Sequence, residues 1–247
     1  MTTKSWIAFA VICFGLIGGL VYLSQRDKTD VSTIDVTTVQ TASAQNGNIA
    51  DHTYGNMNSK VILIEYGDFQ CPGCGSAYPN VKLVKEKYKD KMGFVFRNYP
   101  LTTIHPNALA ASAAAESAGL QGKYWEMHDK LYENQSSWEK LTGQARTDYF
   151  TSLASSLGID TSKWLAELDK ESVAKKIEFD QALGQKAGVS GTPSFFVGDK
   201  NVGDKYYVGD KLVATKTDEA QVVWSSATAF ENLVIKPLLK ENGIAVD

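Results

Sequence analysis

The sequence predicts an α/β protein, a sheet split by an inserted helical domain, preceded by a single N-terminal transmembrane helix. Three observations lead there. A strand-like run, Val61 to Tyr66, leads into Cys71-Pro72-Gly73-Cys74 and then a helix-like run from about Ser76 to Tyr88. A stretch of purely helical pattern, from about Pro106 to Ala187, separates these from a further strand-like run, Ser194 to Val197. An uncharged segment, Trp6 to Leu23, stands near the start. The chain accordingly divides into a cytoplasmic tip and anchor (1–23), a flexible linker (24–50), a first part of the sheet domain (51–104), a helical insert (105–188) and a second part of the sheet domain (189–247).

The uncharged segment would make about 27 Å of helix, close to the roughly 30 Å hydrocarbon core. Trp6 and Tyr22 lie near its ends, where interfacial aromatics belong. It is longer than the core of a signal peptide, and the small-residue site Ala42-Ser43-Ala44 is too far downstream to cleave it. An uncleaved anchor is expected. Lys4 on one side against Arg26 and Lys28 on the other leaves the orientation open. Residues 24–50 are rich in Thr, Ser, Gln and Asp, with no aromatic between Tyr22 and Tyr54, and read as a tether.

With 43% hydrophobic residues in 247, the chain has enough apolar side chains for an ordinary core. A net charge of −3, mixed in sign, argues against nucleic acid or another polyanion as partner.

Val61 to Tyr66 has the β-branching and length of a central strand buried on both faces. Glu65 interrupts it. Two placements are open: at the strand end facing solvent, or under Cys74, where a partly buried carboxyl with a raised pKa would relay that thiol's proton. The helix after the cysteines carries Ala77, Val81, Val84 and Tyr88 on one face, with Lys82, Lys85, Glu86 and Lys89 expected to face water, and Pro79 expected to kink it. Gly93 to Arg97 is the next strand.

A Cys-x-x-Cys at a strand-to-helix junction is a redox signature. The first N–H groups of a helix lack partners and carry the positive end of its dipole, which stabilises a thiolate there. Pro72 suits the first helical turn, and Gly73 leaves the approach to the sulfur open. Cys71 is therefore expected to be exposed and reactive, with Cys74 as the resolving thiol. A zinc site would need further ligands, but the remaining candidates, Cys13, His52, His105 and His128, are scattered singly. A structural disulfide across so short a loop would constrain the unfolded chain little. Soft-metal binding by the two thiolates, as in a copper carrier, stays open. No cofactor or resident metal is expected. His105 and His128 read as packing or capping residues. Cys13 reads as a small apolar residue of the anchor.

Within the insert, helical patterns cover Ala108 to Ala118, Tyr124 to Tyr132, Thr147 to Leu157 and Ser162 to about Gly184. Thr192-Pro193 then precedes a strand, a place where a cis peptide bond is often found. Three Val-Gly-Asp-Lys repeats at Val197, Val202 and Val208 signal a hairpin or short meander, with Tyr206 and Tyr207 on a strand between turns. A last helix runs from about Thr228 to Lys240, with Pro237 bending its end.

In combination these features resemble the thioredoxin superfamily, in its DsbA-like branch, over about Val61 to Asn242. Glu65 stands six residues before Cys71, as the buried acid of that branch does. Pro79 stands five after Cys74, like the kinking proline of thioredoxins, and Thr192-Pro193 stands where the family has its cis-proline. Gly122-Lys123-Tyr124-Trp125-Glu126-Met127-His128-Asp129 is similar to the insert of membrane-tethered bacterial members. The resemblance implies a thiol–disulfide oxidoreductase in which Cys71 exchanges, Cys74 resolves, Glu65 is the buried acid, and Thr192 with Pro193 shapes the substrate groove. It implies thiol-containing exported proteins as substrates, a membrane redox partner that re-oxidises the pair, and an extracytoplasmic domain on a single-pass membrane anchor. A reductase or isomerase using the same cysteines is the alternative within enzymes. Pro72-Gly73 departs from the Pro-His of strongly oxidising members.

Overall fold

The computed structural model describes residues 13–15 and 29–246. Cys13 to Gly15 are helical. The rest of the anchor expected over Trp6 to Leu23 lies outside the described residues, and among those described no helix is long and apolar enough to cross a membrane.

Strands β1 (His52–Gly55), β2 (Ile62–Gly67), β3 (Gly93–Asn98), β4 (Ser194–Val197) and β5 (Lys200–Asn201) form one sheet in the order β1-β3-β2-β4-β5. β2 and β3 are parallel and joined by helix α1 (Pro72–Lys87), so the strand, cysteine motif, helix and second strand make a βαβ crossover. β4 lies antiparallel on the other side of β2, with Glu65 opposite Phe195 and Tyr66 opposite Ser194. β1 was not expected. It is a four-residue edge strand of alternating half-burial, without an apolar run to announce it.

Successive strand residues point to opposite faces, and both faces are covered. Leu63, Phe94, Phe96 and Phe195 pack with Cys74, Ala77, Val81 and Val84 of α1 and with the insert. Ile64, Tyr66, Val95 and Phe196 pack with Val31, Phe179, Leu183 and Val189. Glu65, two residues from Leu63, shares the α1 face.

The insert comprises α2 (Ala108–Gly119), α3 (Tyr124–Glu133), α4 (Gln135–Trp138), α5 (Gly143–Ser156), α6 (Thr161–Glu167) and α7 (Glu171–Lys186). The single helical run expected from Ser162 to Gly184 is thus two helices. The Asp160 carboxylate caps the first by accepting from the Lys163 amide at 3.0 Å. Trp138 and Trp164 are fully buried, their indole N–H groups donating to the carbonyls of Leu131 and Ala114.

The stretch expected as a tether packs against the domain from Val31 onward and belongs to the same compact unit. Arg97, fully buried, donates to the carbonyls of Val36 and Thr38 at 2.8 and 2.7 Å. Lys186 donates to those of Val31, Ser32 and Ile34, and the Gln40 amide donates to Asp51. The segment also sends Val31 and Ile49 into the core, with Ile34, Val36 and Val39 packed against it, but these stand singly among polar residues, and its backbone carbonyls serve two cations, so composition hid both.

Two glycines of the Val-Gly-Asp-Lys repeat, Gly198 and Gly209, take positive φ at turns. The second turn joins β6 (Tyr206–Val208) to β7 (Lys211–Val213), and with β8 (Gln221–Val222) these form a second sheet in the order β7-β6-β8. The last helix is interrupted. α8 (Ala227–Phe230) continues through a wider turn, Glu231–Ile235, into α9 (Lys236–Glu241). The wide turn ends two residues before Pro237, which has no N–H to give to the ladder.

Candidate active site

Cys71 sits at the N-cap of α1 with Pro72 in the first turn, and its carbonyl accepts from the Gly75 amide at 3.0 Å. Several donors converge on its sulfur. The Cys74 thiol, donating toward it, is the largest influence, and burial opposes it. The Thr192 hydroxyl, buried and making no full hydrogen bond, is free to turn to a Cys71 thiolate, and the amides of Cys74 and Gly73 add to the effect. Together they bring the Cys71 thiol down to about 5. Cys71 is less open than expected, 8% exposed, because the turn at Thr192–Pro193 lies beside it.

Cys74 is fully buried. Burial, together with the neighbouring Cys71 and Glu65, pushes its thiol well above the ordinary range. The Asp68 amide donates to its sulfur at 3.5 Å. The motif therefore holds one acidic and one inert thiol, both free in this structure.

Of the two placements open to Glu65, the structure has the buried one. It is 4% exposed, and burial raises its carboxyl to about 8 against the opposing pull of the Lys85 cation. Lys85 corrects the expectation that it faces water. Only 5% exposed, it lays its stem along the core and its ammonium 4.2 Å from the Trp125 ring centre, with Tyr54 and Phe94 alongside. Trp125 comes from the insert, so periodicity within α1 could not reveal this neighbour.

The loop before Cys71 is braced by groups that the sequence reading passed over. The buried Asp68 carboxylate accepts from the amides of Gln70 and Leu101 and pairs with the His105 ring at 2.7 Å. Gln135 of the insert donates to the carbonyls of Phe69 and Cys71 at 2.7 and 2.9 Å. Gln70 in turn accepts from the Asn107 amide and donates to the Glu139 carbonyl. The only sequence signal for these was polar residues beside the cysteines. His128 is buried among aromatic rings, including those of Phe69, Phe96 and Trp125.

The Thr192–Pro193 peptide bond is cis. The Cys71 thiol donates to the Thr192 carbonyl at 3.4 Å. A Cβ placed on Gly73 would lie 3.4 Å from Pro193 Cδ and 3.6 Å from the Cys71 sulfur, so this loop and the helix start are in contact. From the turn, a groove of about 690 Å³ extends between Thr192 and the second sheet, walled by Asn201, Tyr206, Gln221 and Trp224. Cys71, Thr192 and Pro193 are thus brought together, with Cys74 buried behind Cys71 and Glu65 also buried. Among the described residues no group of three or more His, Cys, Asp or Glu side chains is placed to hold a metal ion.

Comparison with known proteins accords with this geometry. The chain is similar to a Na(+)/H(+) antiporter NhaA 1 of Salinispora arenicola, 36% identical over 64% of this chain and 23% of that protein. The chain thus spans about a quarter of the length of the curated relatives it matches. Among solved structures, it is similar to a thioredoxin-like oxidoreductase from Silicibacter pomeroyi, with 28% identity, a TM-score of 0.51, and coverage of 61% of this chain and 82% of that one. It also shares the fold of α-DsbA1 from Wolbachia pipientis, with 20% identity, a TM-score of 0.58, and coverage of 78% and 92% respectively. Residues 47–211 match the family model described as Thioredoxin. With that match over most of its length, and with two unlike thiols at the start of the crossover helix, the chain belongs to the thioredoxin family.

Proposed function

We propose that this chain is a thiol–disulfide oxidoreductase of DsbA-like architecture that donates its Cys71–Cys74 disulfide to exported proteins. The observation that carries the reading is the opposed state of the two sulfurs. Cys71 is acidic, at the helix start, while Cys74 is buried and held protonated. A stabilised Cys71 thiolate makes the reduced form the favoured one, which drives the disulfide onto substrates.

In the oxidised enzyme a substrate thiolate attacks the Cys71 sulfur. A substrate–Cys71 disulfide forms, the Cys71–Cys74 bond breaks, and the electron pair leaves on Cys74, which takes a proton from Glu65. A second substrate thiolate then attacks its own sulfur in the mixed disulfide and releases Cys71 as thiolate. The substrate has been oxidised by two electrons and the enzyme reduced by two. Thr192 and Pro193 form the edge against which the extended substrate lies, and the groove beside them receives the residues flanking its cysteine. A membrane redox partner restores the disulfide.

The anchor over Trp6 to Leu23 would tether the domain to the membrane on its extracytoplasmic side. That placement is supported by the sequence, in which Cys71 and Cys74 are the only cysteines beyond the anchor. The test is transfer to a reduced peptide bearing two thiols. The oxidised chain should oxidise it in one-to-one stoichiometry, and Cys74→Ala, which cannot hold the disulfide, should leave it reduced. If the peptide stays reduced while the reduced chain opens a peptide disulfide, the chain is a reductase.

A further inference from the structure

Beside the buried acid, Glu65 of β2, Lys82 and Lys85 of α1, and His128 and Tyr132 of α3 line a narrow cavity that leaves about 10 Å³ for a water centre, room for one molecule. Two side-chain atoms of its lining, His128 Nε2 and Tyr132 Oη, are buried without a hydrogen-bond partner. Buried polar atoms are rarely left unsatisfied, so polar groups in a water-sized space point to a bridging water. On its other side the His128 ring meets Asp129, with Nδ1 3.0 Å from Oδ1. The second Asp129 oxygen lies 2.7 Å from Lys82 Nζ, and this pair reaches the surface, the two side chains 23% and 29% exposed.

Burial, with the Lys85 and Lys82 cations, brings the His128 ring down to about 4 and keeps it neutral. With a carboxylate opposite Nδ1, that nitrogen carries the hydrogen, and Nε2 presents its lone pair to the cavity. Other titrating groups surround it. Tyr78 and Tyr132 are held above the ordinary phenol range by burial, and Lys85 is lowered by burial while facing Glu65 and Asp129. Cys74, Glu65, Asp68 and Tyr124 also bear on Tyr132.

We propose that His128 acts through Glu65 as a positioning residue, handing protons across one bridging water between that carboxyl and the Asp129–Lys82 pair at the surface. The inference rests on the reading of Cys74 as resolving thiol and Glu65 as its proton partner. When the pair closes after exchange with an oxidising disulfide, Cys74 attacks the Cys71 sulfur. The Cys71–Cys74 bond forms, the Cys71–partner bond breaks with its electron pair leaving on the partner thiolate, and the Cys74 proton passes to Glu65. Glu65 discharges it through the water to Nε2 while the Nδ1 proton moves to Asp129 and on to solvent. Opening the pair sends a proton back along the same path, which resets the ring tautomer each cycle.

The test is the rate at which the reduced full chain closes its disulfide after mixing with glutathione disulfide, for wild type and His128→Gln, at about pH 6.5 and about pH 9. Below the Glu65 value of about 8 the carboxyl must lose its proton before it can accept one, and above it the carboxylate is ready. His128→Gln should therefore close about tenfold more slowly at the lower pH and within about twofold of wild type at the higher. Equal slowing at both pH values would mark a merely structural role, and no slowing at either would remove the relay; both overturn the proposal. Should His128→Gln fail to fold, Asp129→Asn interrupts the same path at its outer end and carries the same expectation. Glu65→Gln run in parallel separates the two levels. Slow closure there with normal closure in the His128 and Asp129 variants overturns this inference alone, whereas normal closure in Glu65→Gln removes the role of Glu65 as well.

Discussion

The Cys71 sulfur lies 3.4 Å from the carbonyl oxygen of Thr192, a residue 121 positions further along the chain. The same residue holds a buried hydroxyl without a full hydrogen bond, and that hydroxyl favours the thiolate. Thr192→Val keeps the shape and the carbonyl but removes the hydroxyl. The Cys71 pKa should rise by about one, as expected for the loss of one hydrogen bond to a charged group. Thiolate absorbance followed against pH measures it, and an unchanged value would show that the helix start and Cys74 hold the anion unaided.

The unlike thiols predict selective chemistry. Reduced protein treated with a small alkylating reagent at about pH 6 should be modified once, at Cys71, because its thiol is lowered to about 5 and Cys74 is fully buried. Peptide mapping that found Cys74 modified first would reverse the assigned roles.

Gly73 offers a direct handle on the redox poise. A side chain there would rise beside the Cys71 sulfur and Pro193 at ordinary contact distances. Gly73→His should bring a cationic donor to the thiolate, lower the Cys71 pKa and raise the reduction potential by about 30 mV for each 1.4 kcal/mol of stabilisation. A potential unmoved or lowered in this variant would separate the dipeptide from the poise.

Glu65 gives stability a pH dependence. Its carboxyl is raised from an ordinary 4.5 to about 8, so it binds its proton more tightly folded than unfolded. The stability contributed by the neutral carboxyl is fully present below about 4.5 and is lost as pH rises through about 8. Glu65→Gln stays neutral throughout. Its melting temperature should match wild type near pH 4.5 and exceed it near pH 8 by several degrees. A gap that is constant with pH would mean the carboxyl is not neutral in the fold.

The crossover unit was legible in the sequence because its parts have local causes, β-branching in β2 and Pro72 in the first helical turn, whereas the placement of Glu65 stayed open between solvent and the Cys74 side until the fold put it on the Leu63 face. What was not legible depends on partners distant in sequence. Lys85 looked solvated until Trp125 arrived from the insert to cover it. Residues 31–50 looked like a tether because their few core residues, Val31 and Ile49 among them, are scattered among polar ones, and because the carbonyls they offer to Arg97 and Lys186 need no particular composition. Asp68, Gln70 and Gln135 brace the cysteine loop through contacts across as many as 69 positions, and no local pattern encodes them.

Whether the chain gives its disulfide away is decided most directly by its equilibrium potential against glutathione. A Cys71 pKa of about 5 lies between the values of about 3.5 and about 7 that accompany DsbA and thioredoxin. The potential should accordingly fall between theirs and on the donor side, at roughly −120 to −200 mV. A value below about −230 mV would place the chain among the reductants and contradict the assignment.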